Sequence, residues 1–301
     1  MYDVLSVATM QRCDAATIES RTSSTDLMRK AAMGVFEAVD DWSGHTSIVV
    51  GSGNNGGDGY ALATILYSRG FKCSIHTLAK PKTPSAIHFS KAAAGCGIPI
   101  VPFSEDDRLL ESANTIVDCI FGIGFHGDAR GAYADAIEYI NFSDAFVVSV
   151  DINSGLNGDT GEAITAVKSD LTVSVGYLKT GMLLQRASAL IGELVNVDIG
   201  IELLEHEHRM LDAKEFDAML EKLDQSPIEM NESRLILDEI NPAQRETLDI
   251  PSFGTEHCSA IEVASHLIEM LGGPMLVKGR SCDFLVDGKR ATFLRPEWFK
   301  G

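Results

Sequence analysis

From residue 47 the chain alternates short, nearly continuous apolar runs with stretches of helical periodicity. Residues 48–50, 73–78, 98–101, 115–120, 145–150 and 171–175 read as strands, with 194–198 a seventh. Residues 60–68 and 85–94 read as helices set between them. Strands that are apolar on both faces belong to a sheet covered by helices on both sides. The pattern therefore predicts an α/β fold: a Rossmann-like, open, mostly parallel sheet reaching to about residue 200, with helices on both faces. Ahead of it, residues 5–40 read as helical. Ser23-Ser24-Thr25-Asp26 supplies a helix start, and Leu27, Met28, Ala31, Ala32, Val35 and Val39 recur at three- and four-residue steps as one buried stripe.

The pattern changes after residue 201. Between 201 and 250 there are fourteen acidic and five basic residues, a net of −9, half of the chain's −18. Residues 211–217 look like a surface helix and 226–251 like a linker. Helical periodicity returns over 256–271, and 274–279 with 284–288 suggest a strand and a hairpin. So short an α+β extension folds only marginally alone, so it is expected to pack on the main domain or on a partner subunit. The expected division is 1–201 as the main domain, 202–255 as an acidic helix and linker, and 256–301 as a short extension.

Charge and composition narrow the function classes. A net charge of −18 repels nucleic acid and anionic membrane surfaces, so neither is an expected partner. No apolar stretch reaches the roughly 20 residues that span a bilayer, and Tyr2-Asp3 opens no basic flank with an apolar block. The six cysteines, at 13, 73, 96, 119, 258 and 282, lack zinc-like spacing and fit a reduced, cytoplasmic setting.

Three turns at the carboxyl ends of strands carry the candidate chemistry. The first is Gly51-Ser52-Gly53-Asn54-Asn55-Gly56-Gly57-Asp58-Gly59, directly after a β-branched strand. It lacks the Gly-Lys-Ser/Thr of a Walker loop, and no acidic residue ends the second strand as in a standard NAD fingerprint. Its backbone N–H groups suit an anion, and its Asn and Asp oxygens suit a cation or a polar substrate. The second turn is Asp118-Cys119-Ile120-Phe121-Gly122-Ile123-Gly124-Phe125-His126-Gly127. Asp118, in an apolar strand, is either a turn-capping carboxylate or one that is paired or coordinated. The glycines form a close-approaching loop, and His126 is a loop residue or a catalytic one. The third is Val150-Asp151-Ile152-Asn153-Ser154, where Asp151 either caps a turn or exchanges a proton with a substrate hydroxyl. A donor mixture of amide, hydroxyl and backbone oxygens with one carboxylate suits a monovalent cation better than magnesium.

These turns, with Leu27-Met28, Ala31-Ala32, residues 166–173, Lys179-Thr180-Gly181 and Val197-Asp198-Ile199-Gly200, resemble the NAD(P)H-hydrate epimerase family over roughly residues 1–201. The resemblance implies interconversion of the R and S forms of hydrated NADH and NADPH, with the damaged cofactor as substrate and no redox cofactor. It implies a substrate enclosed by Asn54, Asn55, Gly56, Gly57, Asp58, Gly122, Ile123, Gly124, Phe125, His126, Gly127 and Asp128, with Asp151 at the hydrated ring. Potassium is implied at Asn55, Asp118 and Ser154, and a homodimer as the assembly. Asp151 would protonate the leaving hydroxyl and deprotonate the attacking water, with ring opening as a second route. A nucleotide-binding or regulatory module that kept the loops without turnover is the alternative. Asn153 stands where the family usually has proline, and Arg29 and Lys30 depart from its usual helix. Residues 260–287 look like a fragment of the partner dehydratase domain, too short to hold that fold, so dehydratase activity is not expected.

Overall fold

Strand β2 (His45–Val50) shows why the sheet forms: Ile48 and Val50 enter one hydrophobic core and Val49 the other, all inaccessible to solvent. The computed structural model describes residues 1–184, 187–224, 265, 275–277, 284–287 and 290–300. Around β2 stand β3 (Lys72–Thr77), β4 (Ile100–Pro102), β5 (Thr115–Cys119), β6 (Phe146–Val150), β7 (Leu171–Val175) and β9 (Glu193–Val197). Their order is β4-β3-β2-β5-β6-β7-β9, and every pairing is parallel. The chain runs outward from β2 to β4, then returns to β5 and runs the other way. The reversal leaves a crevice at the carboxyl ends of β2 and β5, the usual ligand position in open α/β sheets.

Helices α1 (Val7–Ser20), α2 (Ser24–Ala38), α3 (Asn54–Ser68) and α4 (Pro84–Gly95) cover one face, while α5 (Arg108–Glu111) and α6 (Ala132–Phe142) cover the other. Ser6 caps α1 through Thr9 N and Ser23 caps α2 through Asp26 N, satisfying N–H groups that a helix start leaves free. No helix among the described residues is long and apolar enough to cross a membrane.

Two local differences from the sequence reading have physical causes. Helix α3 begins at Asn54 rather than residue 60, because the glycine-rich run forms its first turn. A Cβ on Gly51 would lie 2.1 Å from Ile120 O, and one on Gly56 would lie 2.3 Å from Gly51 O. Only glycine lets this turn fold so tightly against β5. The chain also opens on a strand, β1 (Tyr2–Leu5), just ahead of the two helices that occupy most of 5–40.

Strand β1 is the hub of a second sheet, β11-β12-β13-β10-β1-β8. Its partners are β8 (Leu178–Lys179), parallel, and β10 (His208–Leu211), antiparallel. Beyond β10 come β13 (Arg290–Leu294), β12 (Phe284–Asp287) and β11 (Met275–Val277). Val4 enters a core with Leu178, Met210 and Phe293, whereas Leu5, on the other face, enters the main core. Strand β10 lies within the segment read as helix and linker, ahead of α7 (Ala213–Asp224). The linker over 226–251 and the helix over 256–271 fall outside the described residues, apart from Ser265.

Candidate active site

The three turns after β2, β5 and β6 meet in one crevice. A cleft of about 460 Å³ is lined by Asn54, Asn55, Asp58, Gly122, Ile123, Gly124, Phe125 and Asp151. Its apolar wall includes Met10, Leu27, Met28, Ile199 and Ile201. The first turn of α3 faces the cleft with N–H groups that have no partner within the helix, a setting that attracts anionic groups.

Asp118 ties the second and third turns together. It is fully buried; Oδ1 accepts from Ile120 N (3.1 Å) and the Ser154 hydroxyl, and Oδ2 from Ser149 Oγ (2.9 Å) and Ser154 N (2.9 Å). Burial pushes its carboxyl above the ordinary range, and these hydrogen bonds oppose that shift. Phe121 N donates to Ser154 Oγ (2.8 Å), and Asn55 Nδ2 donates to Phe121 O (2.8 Å). Asn55 Oδ1 is buried without a hydrogen-bond partner among the described residues. Asn55 and Ser154 thus meet at the backbone of Phe121, and Asp118 holds Ser154 there. No group of three or more His, Cys, Asp or Glu among the described residues is arranged to hold a metal ion.

Asp151 sits at the end of β6 with φ +70°, the one non-glycine residue in the left-handed region among those described. Ile152 N donates to Val150 O (2.9 Å) across it, closing the strained three-residue turn that such a φ defines. The turn points the carboxylate into the cleft. Its Oδ2 accepts from Ile123 N (3.1 Å), and Lys179 Nζ lies 2.7 Å from Oδ1. A Cβ on Gly122 would stand 2.7 Å from Asp151 Oδ2, so glycine is what lets the loop close on this carboxylate. Lys179 has no solvent exposure, and it also donates to Val175 O (3.0 Å) and Ser174 Oγ (3.2 Å).

The remaining predicted residues fall elsewhere. Gly56 and Gly57 are buried in the packing of α3 beneath the cleft, and His126 is exposed on the loop. Gly127 and Asp128 line an adjoining hollow of about 600 Å³, which Phe125 shares with the cleft. Asn153 is fully buried: its Nδ2 lies 2.7 Å from Ser169 Oγ, 2.8 Å from Leu190 O and 3.1 Å from Val167 O, and its Oδ1 accepts from Thr172 Oγ1 (2.9 Å). These bonds fasten the turn beside Asp151 without a proline. Arg29 pairs with Asp26 (3.1 Å), while Lys30 Nζ donates to Ile199 O (3.1 Å) at the cleft wall.

Two residues of the site are not singled out by the sequence reading. Asp14 on α1 lines the cleft with Met10 and Ile18 at four-residue steps, a stripe that lies within the helical reading of 5–40. Lys179, buried behind the cleft against Asp151, enters that reading only within its motif, although a lysine inside an apolar run signals a buried ion pair. Burial, and then the charge of Asp151, raise the Asp14 carboxyl. Burial, with Asp151 and Asp14 adding to it and Lys179 opposing, pushes Asp58 well above the usual carboxylate range.

The chain is similar to several known proteins. A family model described as YjeF-related protein N-terminus matches residues 24–181. Over 199 residues the chain is 38% identical to an NAD(P)H-hydrate epimerase of Limosilactobacillus fermentum, covering 64% of this chain and 95% of that one. Over 177 residues it is 40% identical to the bifunctional NAD(P)H-hydrate repair enzyme Nnr of Archaeoglobus fulgidus, covering 58% of this chain and 37% of that enzyme. The crystal structure of yeast ynu0 shares the fold, with a TM-score of 0.54 and 22% identity over 59% of this chain and 82% of that one.

Proposed function

This chain belongs to the family of YjeF-related protein N-termini, and from that premise we propose that it is an isomerase of nicotinamide nucleotide repair. It interconverts the R and S forms of hydrated NADH and NADPH, as the name of its epimerase relatives states. In such a substrate the carbon beside the ring nitrogen bears a hydroxyl. The nitrogen lone pair expels that hydroxyl, leaving a planar centre that water re-enters from either face.

The observation that carries this reading is Asp151, turned into the cleft by its strained backbone and ion-paired with Lys179. Asp151 deprotonates the water that attacks the planar centre, and Lys179 beside it holds the carboxylate in place. Ile123 N fixes the other carboxylate oxygen, and the apolar wall of Met10, Leu27 and Met28 keeps bulk water from the ring. The free N–H groups at the start of α3 and the glycine loop after β5 receive the polar remainder of the dinucleotide.

The donor set fits a weakly hydrated monovalent cation, because the buried Asn55 Oδ1 lacks a partner among the described residues and lies with the Ser154 hydroxyl, the Asp118 carboxylate and Phe121 O in the same linked set. Asn55, Asp118 and Ser154 would hold potassium, which would add positive potential beneath the glycine loop. By resemblance the enzyme works as a homodimer, which sedimentation velocity tests.

Incubating the purified protein with an unequal mixture of the two epimers, resolved by chromatography, tests the function. Interconversion faster than the spontaneous rate is expected, lost in Asp151→Asn and greater in potassium than in lithium. Tight binding with no acceleration would instead identify a nucleotide-binding module.

A further inference from the structure

Lys179 neutralises one carboxylate of the cleft, and there are three. Asp14 on α1, Asp58 on α3 and Asp151 after β6 all line it. Lys179 Nζ lies 2.7 Å from Asp151 Oδ1, whereas Asp58 makes no ion pair or side-chain hydrogen bond among the described residues. The two carboxylates therefore differ in kind. One is paired with a buried ammonium. The other, partly buried, faces the same space without a counter-ion, and burying an unpaired charge is unfavourable.

Replacing one hydroxyl by another needs both a proton donor and a proton acceptor. Resting on the epimerase reading, we propose that Asp58 is the general acid that protonates the departing hydroxyl, while Asp151 is the base that receives the proton of the incoming water. Such a division follows when neighbouring carboxyls stand in different environments, one beside a buried cation and one without it.

The step balances without a redox partner. Asp58 gives its proton to the hydroxyl oxygen, and the carbon–oxygen bond breaks with its electron pair leaving on water. The ring nitrogen lone pair becomes the second bond to carbon. Water then forms a new carbon–oxygen bond, the pair returns to nitrogen, and the water's proton goes to Asp151. The proton returns from Asp151 to Asp58 through cleft water, driven by Lys179 beside Asp151. The reverse turnover uses the two residues in exchanged roles.

The groups that face Asp58 agree with this assignment. Asp14 from α1 and Asp151 from the turn after β6 raise its proton affinity, Lys179 from β8 opposes them, and Cys119 on β5 is itself a buried, uncharged thiol. Burial is the largest cause, and the carboxyl lies well above its ordinary range.

Asp58→Asn keeps the shape of the side chain but removes the transferable proton. General acid catalysis contributes about 10²–10⁴-fold, so the expected loss in kcat is at least about 100-fold, with KM held within about threefold. The alkaline limb of the kcat–pH profile disappears with it. Asp58→Glu, which retains a proton donor, recovers part of kcat and the limb. In the infrared spectrum of the wild type at neutral pH, a protonated-carboxyl band is expected that Asp58→Asn removes. A kcat within threefold of wild type, a loss confined to KM, or Asp58→Glu no better than Asp58→Asn overturns the assignment. If the Asn variant does not fold, a wild-type kcat profile without an alkaline limb overturns it equally. A wild type that interconverts nothing refutes the epimerase reading; an active wild type matched by Asp58→Asn refutes only the role of Asp58.

Discussion

Replacing Lys179 by methionine removes a buried cation while keeping much of its length. The side chain has no exposure and that of Asp151 only 16%, so the pair lies largely outside solvent screening. Removing one partner of such a pair costs about 3–5 kcal/mol, because the remaining charge is stranded. Asp151 opens onto the cleft, which places the expected loss near the lower end, about 3 kcal/mol at neutral pH. Val175 O and Ser174 Oγ lose a donor as well, which adds about 1 kcal/mol. Urea unfolding of both proteins at neutral pH, together with kcat/KM, measures this. A stability loss of about 3–4 kcal/mol is expected, with the rate at pH 7 at least about tenfold lower. A loss under about 1 kcal/mol, or a rate within about twofold of wild type, refutes the idea that Lys179 holds the Asp151 carboxylate in the cleft.

Three further outcomes follow from other parts of the structure. His76 is fully buried and its pKa is lowered to about 4, chiefly by burial, with Asp107 opposing. The unfolded chain therefore binds this proton first, so the stability gained from neutral His76 is complete above about pH 6.5 and is lost as pH falls toward 4. At most about 3 kcal/mol is involved, and His76→Gln should flatten urea-unfolding stability across that window. Asp151→Gly should be about 1 kcal/mol more stable than Asp151→Ala in the same assay, since only glycine holds φ +70° without strain, while both are inactive. Asn153→Ala leaves the buried Val167 carbonyl without the Asn153 donor, while Leu190 O keeps Ser169 N, so a loss of about 1–3 kcal/mol and a lower kcat are expected from unfolding and rate measurements.

The parallel sheet was legible because its strands are apolar on both faces, as Ile48, Val49 and Val50 illustrate. Local pattern shows that much. It did not reveal β1, a four-residue strand containing Asp3, whose partners lie near residues 178 and 208. Nothing within ten residues of Tyr2 signals such pairing. The start of α3 was hidden for a different reason: its glycines, weak helix formers, are required by the approach of Gly51 to Ile120 across the sheet. The three turns that line the cleft could be read because each follows a strand and gathers polar side chains among glycines. The asymmetry among Asp14, Asp58 and Asp151 could not be read, because it depends on where Lys179 arrives from β8.

The most direct measurement starts from one purified epimer of hydrated NADH, incubated with the protein and potassium in water enriched in oxygen-18. The opposite epimer is expected to appear faster than it does spontaneously and to carry one solvent oxygen per inversion, with Asp151→Asn at the spontaneous rate. Inversion that retains the original oxygen, or that proceeds equally well in Asp151→Asn, would contradict the account.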